Sequence, residues 1–308
     1  MAEKDITERH LEEFNDVFAD IVNVLLFGGE AVVQEDELDN VGSSKDQFRA
    51  ETEQVGNRSI HETERDITKI WKKGGVAISV IGLENQDEPD RTMPLRVLAY
   101  DGASYKSELI RMEEQRKKDR NAGGIDVQRQ YYPVISLVLS FSERHWHTAR
   151  TIHEAVMIPE RLKPFVSDYQ INVFEISWLE NETVQMFRSD FRFVAEYFVQ
   201  RRRNEDYRPS EQIVRHVDAT LKAMSALTGD RRFETAYNVW AENDSGKGAF
   251  RMEKMLDRIE ERGYVKGEAK GRQQEKEDNI ARMADYFQKE RPEMTREQAV
   301  EFASSILR

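Results

Sequence analysis

The residues whose types and spacing could do chemistry are two acids and an amide. Asp66, Glu84 and Gln86 form the pattern D-x(17)-E-x-Q. Asp66 opens the stretch DITKIW, and Glu84 and Gln86 close the stretch VAISVIGLENQ. Alternate residues of a strand share a face, with Cα atoms about 6.5–7 Å apart. Glu84 and Gln86 are therefore one pair, and Asn85 faces away. If the two strands are antiparallel neighbours joined through KKGG, the start of the first lies beside the end of the second. Asp66 then converges on Glu84. Two carboxylates with a polar neighbour suit a hard divalent cation, because Mg²⁺ takes oxygen ligands and keeps several waters. A site of this kind polarises a phosphodiester and helps to generate hydroxide. Gln86 can hydrogen-bond the attacking water or a non-bridging oxygen but cannot act as a base. Two solvated strand ends would give the same pattern, and the spacing by itself does not separate the two.

Other groups invite the same question. His145 and His147, with Trp146 between them and His153 and Glu143 nearby, could form a transition-metal cluster. A strand-capping loop with Trp146 packed on the core fits the same residues, and no cysteine is present to add a soft ligand. Tyr100 and Asp101 lie on the helix after the E-x-Q strand, where a tyrosine packing on the sheet is the simpler assignment. The clusters QRKKDR (115–120) and Arg201-Arg202-Arg203 could contact phosphates. Each is flanked by acids, and cations also favour helix C-termini. Gly263, Gly267 and Gly271 recur at spacing four, which suits either an oligomerisation stripe or a flexible linker.

The elements that must position these residues follow from periodicity. LEEFNDVFADIVNVLLF (11–27) has a wide apolar face at helical spacing and stops at Gly28-Gly29. Residues 34–64 are polar and weakly periodic, and predict a long loop. Residues 66–71 and 76–86 predict two strands with a tight connection, and 92–118 an amphipathic helix. The apolar runs 133–141 and 168–176 predict further strands. Helices are predicted for 180–202, for 210–228 with Ser210 as N-cap, within 231–262, and for 295–307 with Thr295 and Gln298 at capping-box spacing. The order predicts an α/β core followed by a helical C-terminal region.

Bulk properties narrow the classes. The absence of cysteine excludes disulfides, thiol nucleophiles and Cys-based zinc sites. No apolar run approaches the roughly 20 residues of a membrane span, and the charged start MAEKDITERHLEEF is unlike a secretory signal. The expectation is a cytoplasmic protein with no membrane partner. A net charge of −12 repels phosphates, so any nucleic-acid role needs local cations or a metal. No glycine-rich loop follows a predicted strand, which leaves P-loop and Rossmann enzymes without support. A Ser/His/Asp hydrolase lacks its nucleophile turn.

Several stretches taken together carry a family resemblance: FADIVNVLLFGGE, RDITKIW, AISVIGLENQ, MPLRVLAYD, YYPVISLVLSF, DYQINVFEI and LKAMSALTG. In this order, over most of residues 14–230, the chain resembles the PD-(D/E)xK nuclease superfamily in the variant where Gln replaces the last Lys. More specifically it resembles the Rpn family of recombination-promoting, transposase-like nucleases. The resemblance implies a restriction-endonuclease-like mixed sheet flanked by helices. The core then spans 1–180, a helical region 181–262, and a charged tail with a terminal helix 263–308. It implies a Mg²⁺- or Mn²⁺-dependent DNA endonuclease. Asp66 and Glu84 match the metal-binding acids, Gln86 the amide in the Lys position, and Asp20 an acid of the first helix. A homo-oligomer through the C-terminal helices is a further expectation. Arg65 replaces the motif proline, which is not a ligand. The Lys-to-Gln change removes a cation that would stabilise the transition state, and Arg65 and Lys69 are the candidates to replace it. The alternative is a catalytically inactive nuclease-fold protein acting through protein–protein contacts.

Overall fold

The structure, a computed structural model, describes residues 11–41, 66–83, 90–121, 131–242, 250–291 and 294–306. The chain divides into two compact units, Met1–Glu253 and Lys254–Arg308. The first unit is mixed α/β. Its five-stranded sheet has the order β1 (Leu38–Val41), β2 (Asp66–Trp71), β3 (Val76–Leu83), β4 (Val134–Ser140), β5 (Asn172–Glu175). β1, β2 and β3 are antiparallel neighbours, and β3, β4 and β5 run parallel.

Helix α1 (Asn15–Phe27) buries Val17, Phe18, Ile21 and Val22, the apolar face its spacing predicts. It ends where Gly28 and Gly29 adopt φ of 61° and 88°, a left-handed turn that glycine enters without a Cβ penalty. Asn23 then fastens the returning chain, accepting the Val32 and Val33 N–H groups and donating to the Val33 carbonyl. Inside the stretch read as a loop, Glu35–Glu37 form a 3₁₀ turn and Leu38–Val41 an edge strand. The strand is set by pairing with β2, because the side chains of Asp39 and Asn40 give it no apolar alternation to read.

The two sheet faces have different covers. Directly paired residues share a face, so Thr68, Ser136, Val138 and Val173 lie on one side, and Lys69, Ile78, Leu137 and Leu139 on the other. Helix α2 (Met93–Asn121) covers the first face, packing Met93, Val97 and Tyr100 with Val138, Trp146 and Ile171. The ring of Phe18 on α1 lies below the Lys69 ammonium on the second.

Short helix α3 (Ile152–Ala155) carries a capping box between Thr151 and Glu154. The apolar pattern of 180–202 is broken into α4 (Asn181–Met186) and α5 (Phe191–Arg202). α5 is almost wholly buried, with Phe198 packed on Phe141 of the chain just after β4. Helix α6 (Val217–Thr228) starts seven residues later than Ser210, whose N–H instead donates to Glu196. The capping role falls to Asp190, which is fully buried and accepts the N–H groups of Arg215 and His216 and the Thr220 hydroxyl. Helix α7 (Arg231–Glu242) and a small β6–β7 pair (Ile213–Val214 with Phe250–Arg251) complete the unit. Helix α8 (Met252–Glu290) carries the backbone of Gly263, Gly267 and Gly271 in helical form.

In the second unit, Ala284 packs with Ala299 and Ala303 of α9 (Arg296–Ile306). Thr295 and Gln298 make both bonds of the expected capping box. No helix among the described residues is long and apolar enough to cross a membrane.

Candidate functional site

The hairpin that the chemistry requires is present. β2 and β3 are antiparallel, and Asp66 is the register partner of Ile81. The backbone of Asp66 therefore sits at the end of β3 that leads out through Leu83. Glu84 and Gln86 follow directly, and both lie outside the described residues. The register also sets a condition. Asp66, Ile81 and Leu83 are placed on one face, because pairing conserves the face and alternation has period two. Unbroken alternation past Leu83 would place residue 84 on the other face. Asp66 and Glu84 share a face only if strand alternation does not continue unbroken through residue 84.

Asp20, the helix acid, is on α1. Its Oδ2 accepts the backbone N–H groups of Arg188 at 2.9 Å and Ser189 at 2.8 Å. It thereby ties α1 to the break between α4 and α5. Asp16 of the same helix and Phe14 just before it do similar work. Asp16 bonds His216 Nε2 at 2.9 Å, and the imidazole stacks on Phe14 at 3.7 Å between centroids.

Lys69 cannot serve as the replacement cation. It lies three residues from Asp66, so alternation places it on the opposite face. It is fully buried, and its Nζ donates to Glu13 O at 2.7 Å, Asn15 Oδ1 at 2.6 Å and Asn40 Oδ1 at 2.5 Å. Burial lowers its pKa, opposed by the nearby Glu13 carboxylate. This is an ammonium hydrogen-bonded inside the fold, not one offered to phosphate. Arg65 lies outside the described residues.

The histidines have separate commitments. His145 bonds Glu175 at 3.1 Å and stacks on Trp178. His147 bonds the His145 carbonyl, and His153 bonds the Val166 carbonyl at 2.7 Å. Trp146 is buried in the cluster under α2, as the capping-loop assignment expects. The arginines at the end of α5 are likewise engaged. Arg201 pairs with Glu143 at 2.8 Å, Arg202 donates to Ser177 O and covers the Trp178 ring, and Arg203 bonds Asn181. Among the described residues, no three of His, Asp and Glu are grouped so as to hold a metal ion.

Asp101 has partners that its sequence position did not show. Asp101 is 2% exposed on the sheet-facing side of α2. Its Oδ1 accepts the Ser136 hydroxyl at 2.6 Å, and its Oδ2 accepts the Tyr169 hydroxyl. Burial raises the Asp101 pKa, and the two hydroxyl bonds oppose the rise. Burial, reinforced by the adjacent Asp101, pushes the Tyr169 phenol well up, so it stays a donor. The available signal was helical spacing: Asp101 follows Met93 and Val97 on the inner stripe of α2, so it had to be buried with partners.

No family model matches the chain, and neither a curated protein nor a solved structure does.

Proposed function

We propose that the protein is a divalent-metal-dependent DNA endonuclease of the recombination-promoting, transposase-like type, with a restriction-endonuclease-like core and a cytoplasmic location. The observation that carries this reading is the β2–β3 register. It puts the backbone of Asp66 at the strand end that runs into Glu84-Asn85-Gln86. The order α1, antiparallel β2–β3, α2, then parallel β4 also supports it.

The donors are two carboxylates and an amide oxygen, a hard set that fits Mg²⁺ or Mn²⁺. Asp66 and Glu84 would hold the ion. Bound there, it would supply Lewis-acid polarisation of a phosphoryl oxygen and a more acidic water. Gln86 would orient the water or a non-bridging oxygen without taking a proton. Asp20, read as the helix acid, has a carboxylate that already accepts two backbone N–H groups, so its role would be to hold α1 in place. A homo-oligomer through the C-terminal helices goes with this reading. The exposure of Tyr286, Phe302 and Ile306 in the second unit supports it.

The test is plasmid cleavage by the full chain in Mg²⁺. Asp66→Ala and Glu84→Ala should each lower the rate by about 100-fold or more, with unchanged circular dichroism, and chelation should abolish it. Undiminished cleavage in both variants would overturn the assignment.

The inactive, protein-binding alternative is favoured by one observation. The only lysine of β2 is locked in the core, and Gln86 stands where a second cation would be. It expects neither cleavage nor calorimetric Mn²⁺ binding. Mn²⁺ affinity that disappears in Glu84→Gln would rule it out.

A further inference from the structure

Beneath α2, where β4 and β5 begin, the protein contains a cavity of about 250 Å³. Val97, Val134 and Ile171 supply apolar wall, and Ser136, Tyr169 and Asp168, with the amides of Gln170 and Asn172, supply polar wall; the Asn172 amide already donates to the Ser136 carbonyl. The direction of the hydrogen bonds matters here. A hydroxyl has one hydrogen and two lone pairs. Ser136 and Tyr169 both give their hydrogen to the buried Asp101 carboxylate. Each can therefore offer the cavity only an acceptor. Asp168 is also an acceptor. Its Oδ1 takes the His153 N–H at 3.0 Å, and that bond holds its carboxyl below the usual range. At Ser136, Tyr169 and Asp168 the wall asks for a hydrogen-bond donor, and the negative charge of the Asp101 and Asp168 carboxylates asks for a cation.

We infer that this cavity binds a small aliphatic amine or guanidine, with its cationic head on Ser136, Tyr169 and Asp168 and its stem on Val97, Val134 and Ile171. A water occupies about 30 Å³ of liquid, so the space suits a ligand of roughly eight heavy atoms. The cavity is independent of the nuclease proposal. Val134 pairs with Ala77 at one end of β3, whereas Leu83, next to the candidate metal site, pairs with Ser140 at the other.

The experiment is titration of the full-length protein, by NMR or calorimetry, with pentylamine, agmatine, 1-pentanol and pentanoate. The two cations should saturate, with 1-pentanol at least tenfold weaker and pentanoate silent. Nα-acetyl-lysine amide, run alongside, separates a free amine from a peptide side chain as the source of the head group; its binding or exclusion leaves the pentylamine result to decide. Asp101→Asn is the decisive variant. Its amide can donate to one hydroxyl, which then turns its own hydrogen to the cavity, so the preference for amine over alcohol should fall below threefold. Tyr169→Phe, which removes one acceptor, should weaken pentylamine at least threefold and serves if Asp101→Asn does not fold. Equal binding of alcohol and amine in the parent protein overturns the proposal. So does a preference that survives Asp101→Asn, or unchanged pentylamine affinity in Tyr169→Phe.

Discussion

Lys69 stands in the middle of a strand with no solvent exposure and three oxygen acceptors around its ammonium. Removing the donor strands those acceptors in the core, and an unsatisfied buried polar group costs more than a bond gains. Lys69→Met should lower stability by about 2–4 kcal/mol, read by urea denaturation. If its role is structural, cleavage per folded molecule should not change; a loss at equal folded fraction would return Lys69 to the phosphate. The same distinction explains what could be read at this scale. The types Asp, Glu and Gln were visible because their spacing is local. The fate of Lys69 and Asp101 depended on partners 29 to 68 residues away in the chain, which no local pattern reports.

At the scale of elements, carboxylates accepting backbone N–H groups make the joints: Asp20 ties α1 to the segment before α5, and Asp190 ties the start of α5 to the start of α6. Asp190 is the centre of this arrangement, with bonds to residues 215, 216 and 220. Asp190→Ala should cost about 2–3 kcal/mol, since two charge-assisted donors and a hydroxyl lose their partner. Asp190→Asn should cost less, and equal stability of Asp190→Ala and the parent would remove Asp190 from this role. Gly28→Ala should cost about 1 kcal/mol through its left-handed φ of 61°. The strong elements were legible for plain reasons: α1 and β4 carry long apolar patterns, and Thr295 with Gln298 is a local motif. The start of α6 was misplaced because its cap comes from Asp190 and not from the nearby Ser210. β1 was missed because an edge strand of four residues has too little alternation to announce itself.

For the whole molecule, charge dominates the response to pH. Asp90 and Asp230 are held below their ordinary pKa of 3.8; burial would raise them, but bonds from Thr92 and Arg96, and from Arg232, outweigh it. A depressed carboxylate contributes stability that is present above 3.8 and lost as pH falls through the lowered value. Asp101 has the opposite sign: its raised pKa means stability is lost as pH rises above 3.8. The melting temperature should therefore fall on acidification below pH 3.8, and Asp230→Asn should flatten that limb. An unchanged acid limb in Asp230→Asn would assign it to other carboxylates. Net charge of −12 adds a second expectation: if the protein cleaves DNA as proposed, cleavage should be most sensitive to added salt when divalent cation is scarce.

The pairing of Asp66 with Ile81 has a consequence for how such a protein gains or loses activity. On the proposed function, every donor could be retained while activity is lost, because a slip of one position after Leu83 would exchange the side of the sheet that strand alternation assigns to the downstream acid. An inventory of acids cannot report that change, since it alters parity and not identity. Insertions and deletions in this short stretch, more than substitutions, are thus the mutations that would separate working nucleases from silent ones built on the same sheet.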